Sequence, residues 1–424
     1  MATQKTKAWS VTAMSTLSFT TCFMVWMMFA VIGIPIKETL GLNETQFGLL
    51  IAMPVLTGSL FRLPMGILTD IYGGRIVFMG LMLSTIIPMW LISAGTEYWH
   101  YLVLGLFVGL AGASFTVGIS YVARWFPKNQ QGTAMGIFGA GNVGAALTKL
   151  IAPSIVVAYG WTMVPKVYAV LMTVMAVAFW LFTYDDPSHK LDKKFSLSEE
   201  LKALKDPVVW KLCQYYSIVF GGYVALALWM TKYYIAEYGF DLKTAALLAA
   251  CFSLPGGLLR AMGGYFSDKY GAQTVTWLVF WVSMICLFFL SYPQAQISIM
   301  TVENTLIDIN LGLSATTFTI LMFTIGVAFA IGKASVFKYI SDDYTHNIGV
   351  ISGIVGLAGG LGGFILPIMF GALVDFTGVR SSVFMLMFGI IWVSLVWMYW
   401  TEIRPMKAKM HQADIDKRAA IAAK

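Results

Sequence analysis

Charged residues are scarce in this 424-residue sequence: only 12% are Asp, Glu, Lys or Arg, whereas 58% are hydrophobic. A water-soluble domain usually carries about 25% charged residues, so this composition excludes an ordinary soluble protein. The net charge of +7 is spread over the loops and is not clustered on one soluble face. We therefore expect no nucleic-acid partner.

Histidine and cysteine are also scarce, with four of each. The cysteines lie in apolar stretches without the paired spacing of a disulfide or metal site, and the histidines fall in loops or tails. A metal site, a redox cofactor or a membrane enzyme built on histidine is therefore not expected. A receptor is also disfavoured, because the tail after Glu402 is too short for an appended soluble domain.

The sequence is instead rich in apolar stretches of roughly 20 residues, the length that crosses the hydrocarbon core of a membrane. The first stretch is too long for a signal peptide and lacks a small-residue cleavage site, so it is predicted to be retained. The fold class predicted is an all-α membrane protein with 12 transmembrane helices. These helices, α1 to α12, are expected at 11–34, 47–69, 76–94, 101–122, 133–157, 163–184, 209–235, 244–266, 273–291, 313–334, 348–374 and 380–401.

A lysine-rich polar stretch separates the first six helices from the last six. The predicted organisation is an N-terminal half at 1–184, a cytoplasmic linker at 185–208, a C-terminal half at 209–401 and a cytoplasmic tail at 402–424. With the N-terminus inside, 19 of the 28 lysines and arginines fall on the cytoplasmic side and five outside. This asymmetry predicts that both termini are cytoplasmic. The remaining four cations, in or near the membrane, are Arg62, Lys149, Arg260 and Lys333.

The two halves repeat each other in sequence. The pattern Arg62-x3-Gly66-x3-Asp70-x2-Gly73 recurs 198 residues later as Arg260-x3-Gly264-x3-Asp268-x2-Gly271. A second pattern, Gly132-x3-Gly136-x2-Gly139, recurs 217 residues later as Gly349-x3-Gly353-x2-Gly356. Two parallel six-helix halves with a substrate site between them are the major facilitator arrangement. The stretches that end α2 and α8 resemble that superfamily's loop motif, which implies that Asp70 and Asp268 brace the two halves against each other.

Arg62 and Arg260 lie about two helical turns inside the predicted ends of α2 and α8. A charge at that depth costs at least about 2.5–3.5 kcal/mol, so it normally faces a partner or an aqueous cavity. The apolar stretches contain no Asp or Glu that could neutralise the two arginines. The uncompensated charge predicts a bound anion, because a planar guanidinium holds trigonal oxygens through paired hydrogen bonds.

Helices α5 and α11 are rich in glycine, which favours close helix packing or close approach to a ligand. Asn142 is an uncharged hydrogen-bond donor in this patch, and Lys149 lies two turns further along the same face. Lys149 is therefore expected to line the same cavity. The remaining glycines are expected to serve helix packing and gating, and they are Gly66, Gly136, Gly139, Gly141, Gly264, Gly353, Gly356, Gly359 and Gly360.

Together these features resemble one family within the superfamily, the bacterial nitrate/nitrite porters. The resemblance covers essentially the whole chain and rests on the two arginines, on GIFGAGNVGAA and GIVGLAGGLGG at 136–146 and 353–363, and on RWFPKNQQGTAMG before α5. It implies that Arg62 and Arg260 clamp nitrate, that Asn142 hydrogen-bonds it, and that aromatic residues of α4 and α7 enclose its flat face. By local motif context those aromatic residues would be Phe115 and Tyr223.

Two lysines depart from the pattern expected of exchanger-like members of this family. Lys333 is expected to extend from the end of α10 to the cytoplasmic surface. Lys149 lies deeper. A buried lysine near two arginines gives up its proton more readily than one in water, so Lys149 is the expected proton carrier, with Lys333 as the second candidate.

The membrane potential limits the transport mechanism. Import of a single anion against an inside-negative potential costs about 2.3 kcal/mol per 100 mV. Symport with protons overcomes this cost, and exchange for nitrite avoids it. The favoured expectation is nitrate uptake by proton symport in the bacterial inner membrane, by a monomer whose halves rock in the lipid bilayer. Nitrate/nitrite exchange and transport of an organic anion, such as a sugar phosphate or carboxylate, remain open.

Overall fold

The computed structural model describes residues 4–185, 205–343 and 348–406. Most of the predicted linker, 186–204, and most of the predicted tail, 407–424, lie outside these residues. Twelve membrane-spanning helices account for most of the described chain. They are α1 (Gln4–Leu40), α2 (Glu44–Tyr72), α3 (Gly74–Ile92), α4 (Tyr98–Ala123), α5 (Lys128–Gly139 with Gly144–Tyr159), α6 (Met163–Phe182), α7 (Pro207–Tyr238), α8 (Leu242–Leu258 with Arg260–Tyr270), α9 (Ala272–Leu290), α10 (Ala315–Asp343), α11 (Ile348–Thr377) and α12 (Ser382–Met406).

The predicted all-α membrane fold is confirmed. Within the described residues, 11 helices are long and apolar enough to cross a membrane, and the bent pair that forms α8 makes a twelfth. Most helices extend beyond the predicted bounds, because their polar first and last turns belong to the helix but not to the apolar stretch. Asn43 shows this at the start of α2, where it forms a capping box with Gln46.

Each half is closed by a contact between its own first and last helices at the end of the bundle where α1 begins and α12 ends, which we call the terminal end. Ser10 of α1 donates a hydrogen bond to the carbonyl of Phe182 at the end of α6, at 2.7 Å. In the other half, Lys211 of α7 pairs with Glu402 of α12 at 2.9 Å. The opposite end, where α2 and α8 begin, is called the far end.

Six helices are irregular near their middle. Helix α1 is interrupted by a turn at residues 27–28. Helices α4 and α5 each contain a short 3-10 segment, at Leu110–Ala113 and Ala140–Val143, and α7 contains a π-helical segment at Ser217–Gly222. Helices α2 and α8 are interrupted at Phe61 and Leu259, and α8 bends there by 49°. Such segments often accompany functional sites, because the backbone there departs from regular pairing.

A two-stranded antiparallel hairpin lies between α9 and α10, formed by β1 (Ala295–Met300) and β2 (Leu306–Leu311). It was not predicted. The signal was present as an alternation of apolar and polar residues in AQISIM and LIDINL, the period of a half-buried strand. The apolar content of this stretch is too low for a transmembrane helix, so a search for long apolar stretches passes over it.

The two halves pack closely on the far side of the bundle, where α2 lies against α11 and α8 lies against α5. A Cβ atom added to Gly257 of α8 would lie 2.7 Å from the backbone nitrogen of Val143 in α5. Similarly, a Cβ on Gly371 of α11 would lie 2.7 Å from the Cα of Thr45 in α2. Glycine is required at both positions, because the backbones touch.

On the terminal side the halves are separated. A Cβ atom added to any of four glycines there would have no neighbour within 4 Å; these are Gly132, Gly136, Gly264 and Gly353. Gly136 and Gly353 lie about one turn toward the terminal end from Gly139 and Gly356, on the same helix faces. The chain therefore adopts a conformation that is closed at the far end and open toward the terminal end.

Candidate functional site

Arg62 begins the terminal-side segment of α2, directly after the interruption at Phe61. Its side chain is only 5% exposed, and its Nη1 donates to the carbonyl of Gly356 on α11, at 2.8 Å. Its Nε is buried without a hydrogen-bond partner among the described residues. The guanidinium therefore reaches from one half to the other and retains an unused donor.

Arg260 occupies the equivalent position in the other half, directly after the interruption of α8 at Leu259. Its side chain is half-buried, and a Cβ on Gly139 of α5 would lie 3.8 Å from its Cδ. Likewise, a Cβ on Gly356 would lie 3.6 Å from Nη1 of Arg62. The two arginines thus point across the interface toward glycines that occupy corresponding positions in the sequence repeat.

The ring of Phe115 lies between the two guanidinium groups. The Cζ atoms of Arg62 and Arg260 are 5.9 Å and 5.2 Å from its centroid, and the two arginines interact electrostatically with each other. Phe115 lies just after the 3-10 segment of α4, which displaces it from the regular helical position. Phe115 therefore lies beside both arginines, and its contact with the flat face of nitrate stays a prediction.

Three further aromatic residues surround the arginines and were missed in the sequence. Phe220 lies 4.9 Å from Cζ of Arg62, and Phe337 lies 5.3 Å from Cζ of Arg260. Tyr216 stacks on Phe220 at 5.2 Å and meets Phe337 edge to face at 5.0 Å. In a chain with 15% aromatic residues, only the i, i+4 spacing of Tyr216 and Phe220 could have indicated this wall.

Asn142 lies in the 3-10 segment of α5 and is 1% exposed. Its amide donates to the carbonyl of Gly139, at 2.9 Å. This bond satisfies one of its two N–H groups. Asn142 lies next to the contact of α5 with α8 and one turn from the glycine that faces Arg260.

Tyr223 is not placed against either arginine, although it was expected to enclose the substrate. Its hydroxyl donates to the carbonyl of Ser253 at 2.9 Å, and its ring packs against Phe252 and Gly256 of α8. The residue of α7 that lies over a guanidinium is Phe220, one turn earlier. The π-helical segment at Ser217–Gly222 changes which side chains face the interface, and no residue pattern indicated this segment.

The expectation that Lys333 extends to the surface is wrong. Its side chain is fully buried, and its Nζ donates to the carbonyl of Gly256 at 2.6 Å. The same Nζ lies 3.6 Å from the centroid of the Tyr223 ring. Helix α10 extends to Asp343, about three turns beyond Lys333, so the surface is out of reach for its side chain.

Lys149 is also buried, at 1% exposure, and its Nζ donates to Oγ of Ser253 on α8. Ser253 lies seven residues before Arg260, about 10 Å along the helix. Lys149 is therefore on the closed, far side of the arginines and not beside them in the opening. It bridges the two halves through a neutral partner.

Asp70 and Asp268 do not brace the halves against each other in this conformation, contrary to expectation. Asp70 pairs with Arg124 at the end of α4, in its own half. Asp268 pairs with Lys338 of α10, at 3.1 Å, also in its own half. The halves are apart on the terminal side, so each carboxylate reaches only cations of its own half.

The centre of the bundle therefore carries two arginines and two lysines. None of these four cations forms an ion pair with a carboxylate of the described residues. The described partners of the four are carbonyls, a hydroxyl and aromatic rings. Such a site favours a small anion, because an anion supplies the missing negative charge.

Comparison with known proteins identifies the class of protein that the fold and this site define. The family model of the Major Facilitator Superfamily matches residues 14–367. Two solved structures share the fold over nearly the whole chain. A bacterial homologue of the human lysosomal transporter Spinster, inward-facing and unoccupied, matches with a TM-score of 0.71 at 15% identity, covering 93% of this chain and 96% of that one. The nucleoside transporter NupG matches with a TM-score of 0.70 at 14% identity, covering 92% and 98%.

Curated relatives narrow the class to a family. A protein of Thermus thermophilus described as a probable nitrate/nitrite antiporter, NarK1, is 39% identical over 92% of this chain and 91% of its own length. The nitrite extrusion protein of Bacillus subtilis is 30% identical over 92% and 94%, and the probable nitrate transporter NarT of Staphylococcus carnosus is 30% identical over 93% and 96%. This chain belongs to the nitrate/nitrite porter family of the Major Facilitator Superfamily, and it is a transporter and not an enzyme.

Proposed function

We propose that this chain transports nitrate and nitrite across the bacterial inner membrane by alternating access. The observation that carries the proposal is the convergence of Arg62 and Arg260 on the ring of Phe115 without a neutralising carboxylate among the described residues. Guanidinium groups bind planar oxyanions through paired hydrogen bonds, and aromatic faces accommodate their flat surface. Asn142 supplies a neutral donor one turn away.

The transport mode that we favour is nitrate uptake by proton symport. The described residues place no carboxylate or histidine beside the arginines, so a lysine is the available proton carrier. We assign this role to Lys149, because its amine bonds to a neutral hydroxyl, with no carboxylate paired to it in the described part of the chain, and lies across the interface between the halves. The Lys149 amine lies where the two halves meet, so a change in its protonation changes the stability of the contact between them. Lys333 is the second candidate.

Electroneutral exchange of nitrate for nitrite is the alternative. Its support is the described activity of the Thermus thermophilus relative, which is a probable nitrate/nitrite antiporter. An organic anion is a weaker candidate, because the relatives are described as transporters of nitrate or nitrite. The two transport modes differ in whether internal nitrite is required.

We further propose that both termini are cytoplasmic, which makes the present conformation inward-open. The excess of lysine and arginine in the terminal-end loops supports this orientation. Substrate taken up from outside would then be released past Gly136 and Gly353 into the cytoplasm.

Purified protein in liposomes tests these proposals. Nitrate influx is measured with an imposed pH gradient and potential, with and without internal nitrite, and with nitrite, formate and chloride as competitors. Symport predicts nitrate accumulation without internal nitrite, in proportion to the proton gradient. Exchange predicts influx only with internal nitrite, and absence of nitrate and nitrite flux in both conditions would refute the function.

A further inference from the structure

Helix α8 is bent by 49° immediately before Arg260, and this bend distinguishes it from α2. In α2 the hydrogen bonds continue regularly through Phe61, which donates to the carbonyl of Thr57 at 2.9 Å and accepts from Met65 at 2.9 Å. In α8, Leu259 donates to Pro255 four residues back, but Met262 donates to Leu259 only three residues back, at 3.1 Å. The helical hydrogen bonds therefore change from the α-helical to the tighter 3-10 spacing at the break.

The segment before the break is intrinsically weak. It contains Pro255, which lacks a backbone N–H, followed by Gly256 and Gly257. These residues allow a bend, but they do not fix its angle or direction. An additional contact is needed to hold one geometry.

Helix α10 supplies that contact through Lys333. Its Nζ donates to the carbonyl of Gly256, four residues before Arg260, and lies over the ring of Tyr223. Helix α10 also touches the other side of the break. A Cβ on Gly263 would lie 2.5 Å from the carbonyl oxygen of Ile331, two residues before Lys333. The two arms of α8 are thus held by the same turn of α10.

The N-terminal half lacks both contacts. Gly109 of α4 packs on the carbonyl of Pro54 in α2, and Gly326 of α10 makes the equivalent contact with the carbonyl of Phe252 in α8. These matching contacts show that residues of α4 correspond to residues of α10 numbered 217 higher. By this offset Lys333 corresponds to Thr116. By the offset of 198 between α2 and α8, Gly263 corresponds to Met65, whose side chain prevents a similar approach. The N-terminal half therefore has neither the lysine nor the glycine, and its arginine-bearing helix α2 forms one continuous span.

We propose that Lys333 is a positioning residue that fixes the bend of α8 and thereby aims Arg260 at the substrate. This inference rests on the proposed function, because the role of Arg260 in binding nitrate comes from it. The amine acts as a hydrogen-bond donor to Gly256, and this action does not require the transfer of a proton. The two arginines then differ: Arg62 is held by its own bond to Gly356, whereas Arg260 is held through the backbone of its helix.

The test compares Lys333→Met, which removes the donor, with Lys333→Gln, which keeps an N–H donor but cannot carry a proton. Thr116→Val is the matched control in the N-terminal half. Nitrate KM and maximal rate are measured in proteoliposomes. The bend is measured separately, as the distance between spin labels at the exposed positions Leu247 and Tyr270 on the two arms of α8.

We expect Lys333→Met to raise the nitrate KM at least about tenfold, with a smaller change in maximal rate. Straightening of a 49° bend would lengthen the label distance by about 3 Å, given a rise of 1.5 Å per residue. Lys333→Gln should keep the nitrate KM within about threefold, and the label distance within about 1 Å, of the wild-type values. Thr116→Val should leave both the KM and the label distance unchanged.

Two results would overturn the proposal. One is a Lys333→Met variant with wild-type KM and label distance. The other is a Lys333→Gln variant that changes KM and label distance as much as Lys333→Met does, which would mean that the N–H donor is not what fixes the bend. If the wild-type protein carries no nitrate, the proposed function fails, while the label distances still decide whether Lys333 holds the bend.

Discussion

At the scale of single residues, the site combines the charge of two arginines with aromatic faces beside their guanidinium groups. Arg62 and Arg260 are conspicuous because an arginine inside an apolar stretch is expensive and therefore rare. Tyr216, Phe220 and Phe337 are ordinary residues for a membrane helix, and only the structure shows that they face the guanidinium groups. Tyr223 was named from its local motif context, which does not show that Phe220 lies over the guanidinium of Arg62.

Replacement of either arginine by lysine tests the fork geometry of the site. Lys keeps the charge but loses the planar pair of donors, so Arg62→Lys and Arg260→Lys should each raise the nitrate KM about 10- to 100-fold. Initial rates of nitrate influx measure this. The control is Arg380→Lys, at a half-exposed arginine outside the central site that keeps its charge toward Glu237, and its KM should change little. Unchanged KM in both central variants would contradict an arginine clamp.

Replacement of Lys149 separates coupling from binding. Lys149→Met removes the amine that bonds to Oγ of Ser253 across the interface, so proton-driven nitrate accumulation should be lost while exchange of nitrate for nitrite persists. Accumulation under a pH gradient and counterflow without one are the two measurements. Lys166→Met, at the start of α6, serves as the control. Intact accumulation in Lys149→Met would remove this lysine from the coupling mechanism.

At the scale of the helices, the existence and order of all twelve followed from apolar length, but their irregularities did not. The interruptions at Phe61 and Leu259, the 3-10 segments and the π-helical segment depend on contacts between helices that are far apart in sequence. The glycine repeats indicated close contacts, yet they could not show which glycines touch a neighbour and which face open space. The hairpin was missed because the search was directed at apolar stretches.

Gly360 illustrates a contact that the sequence cannot show. A Cβ there would collide with the side chain of Ser59 on α2, so Gly360→Ala should lower stability by about 1–3 kcal/mol. Ser59→Gly should restore most of that loss in the double variant, because the collision partner is gone. Thermal unfolding in detergent measures both. Gly353→Ala, which faces open space, should unfold at or slightly above the wild-type temperature. Equal losses in Gly353→Ala and Gly360→Ala would contradict this packing.

At the scale of the whole molecule, the closed end is held by polar contacts between the halves. Asp375 of α11 accepts hydrogen bonds from the first turn of α2, at 3.0 Å from the backbone nitrogen of Glu44 and 2.8 Å from that of Thr45. The carboxylate of Glu44 pairs with Lys232 of α7, again across the interface. A carboxylate at a helix N-terminus is favourable, so this contact stabilises the closed far end.

Removal of this cap should shift the molecule toward the state that is open at the far end. Loss of a cap typically costs about 1 kcal/mol, so Asp375→Ala should increase that population about fivefold. Distances between spin labels at the exposed positions Glu38 and Phe376, on opposite halves, report it. Asp241→Ala is the control, because Asp241 caps α8 within its own half. A distribution that shifts equally in both variants, or in neither, would contradict a cap that acts between halves.

The hairpin between α9 and α10 offers a handle on sidedness. Its turn projects away from the bundle: Val302 is fully exposed, and the turn is closed by its own bond between Thr301 and Thr305. An epitope inserted at Glu303 would disturb neither a helix nor the contact between the halves. The hairpin lies at the far end, opposite the opening to the arginine site. If an antibody labels the epitope on intact spheroplasts, the far end is outside and the opening faces the cytoplasm. If labelling requires lysis, the far end is inside and the direction proposed for each transport step is reversed.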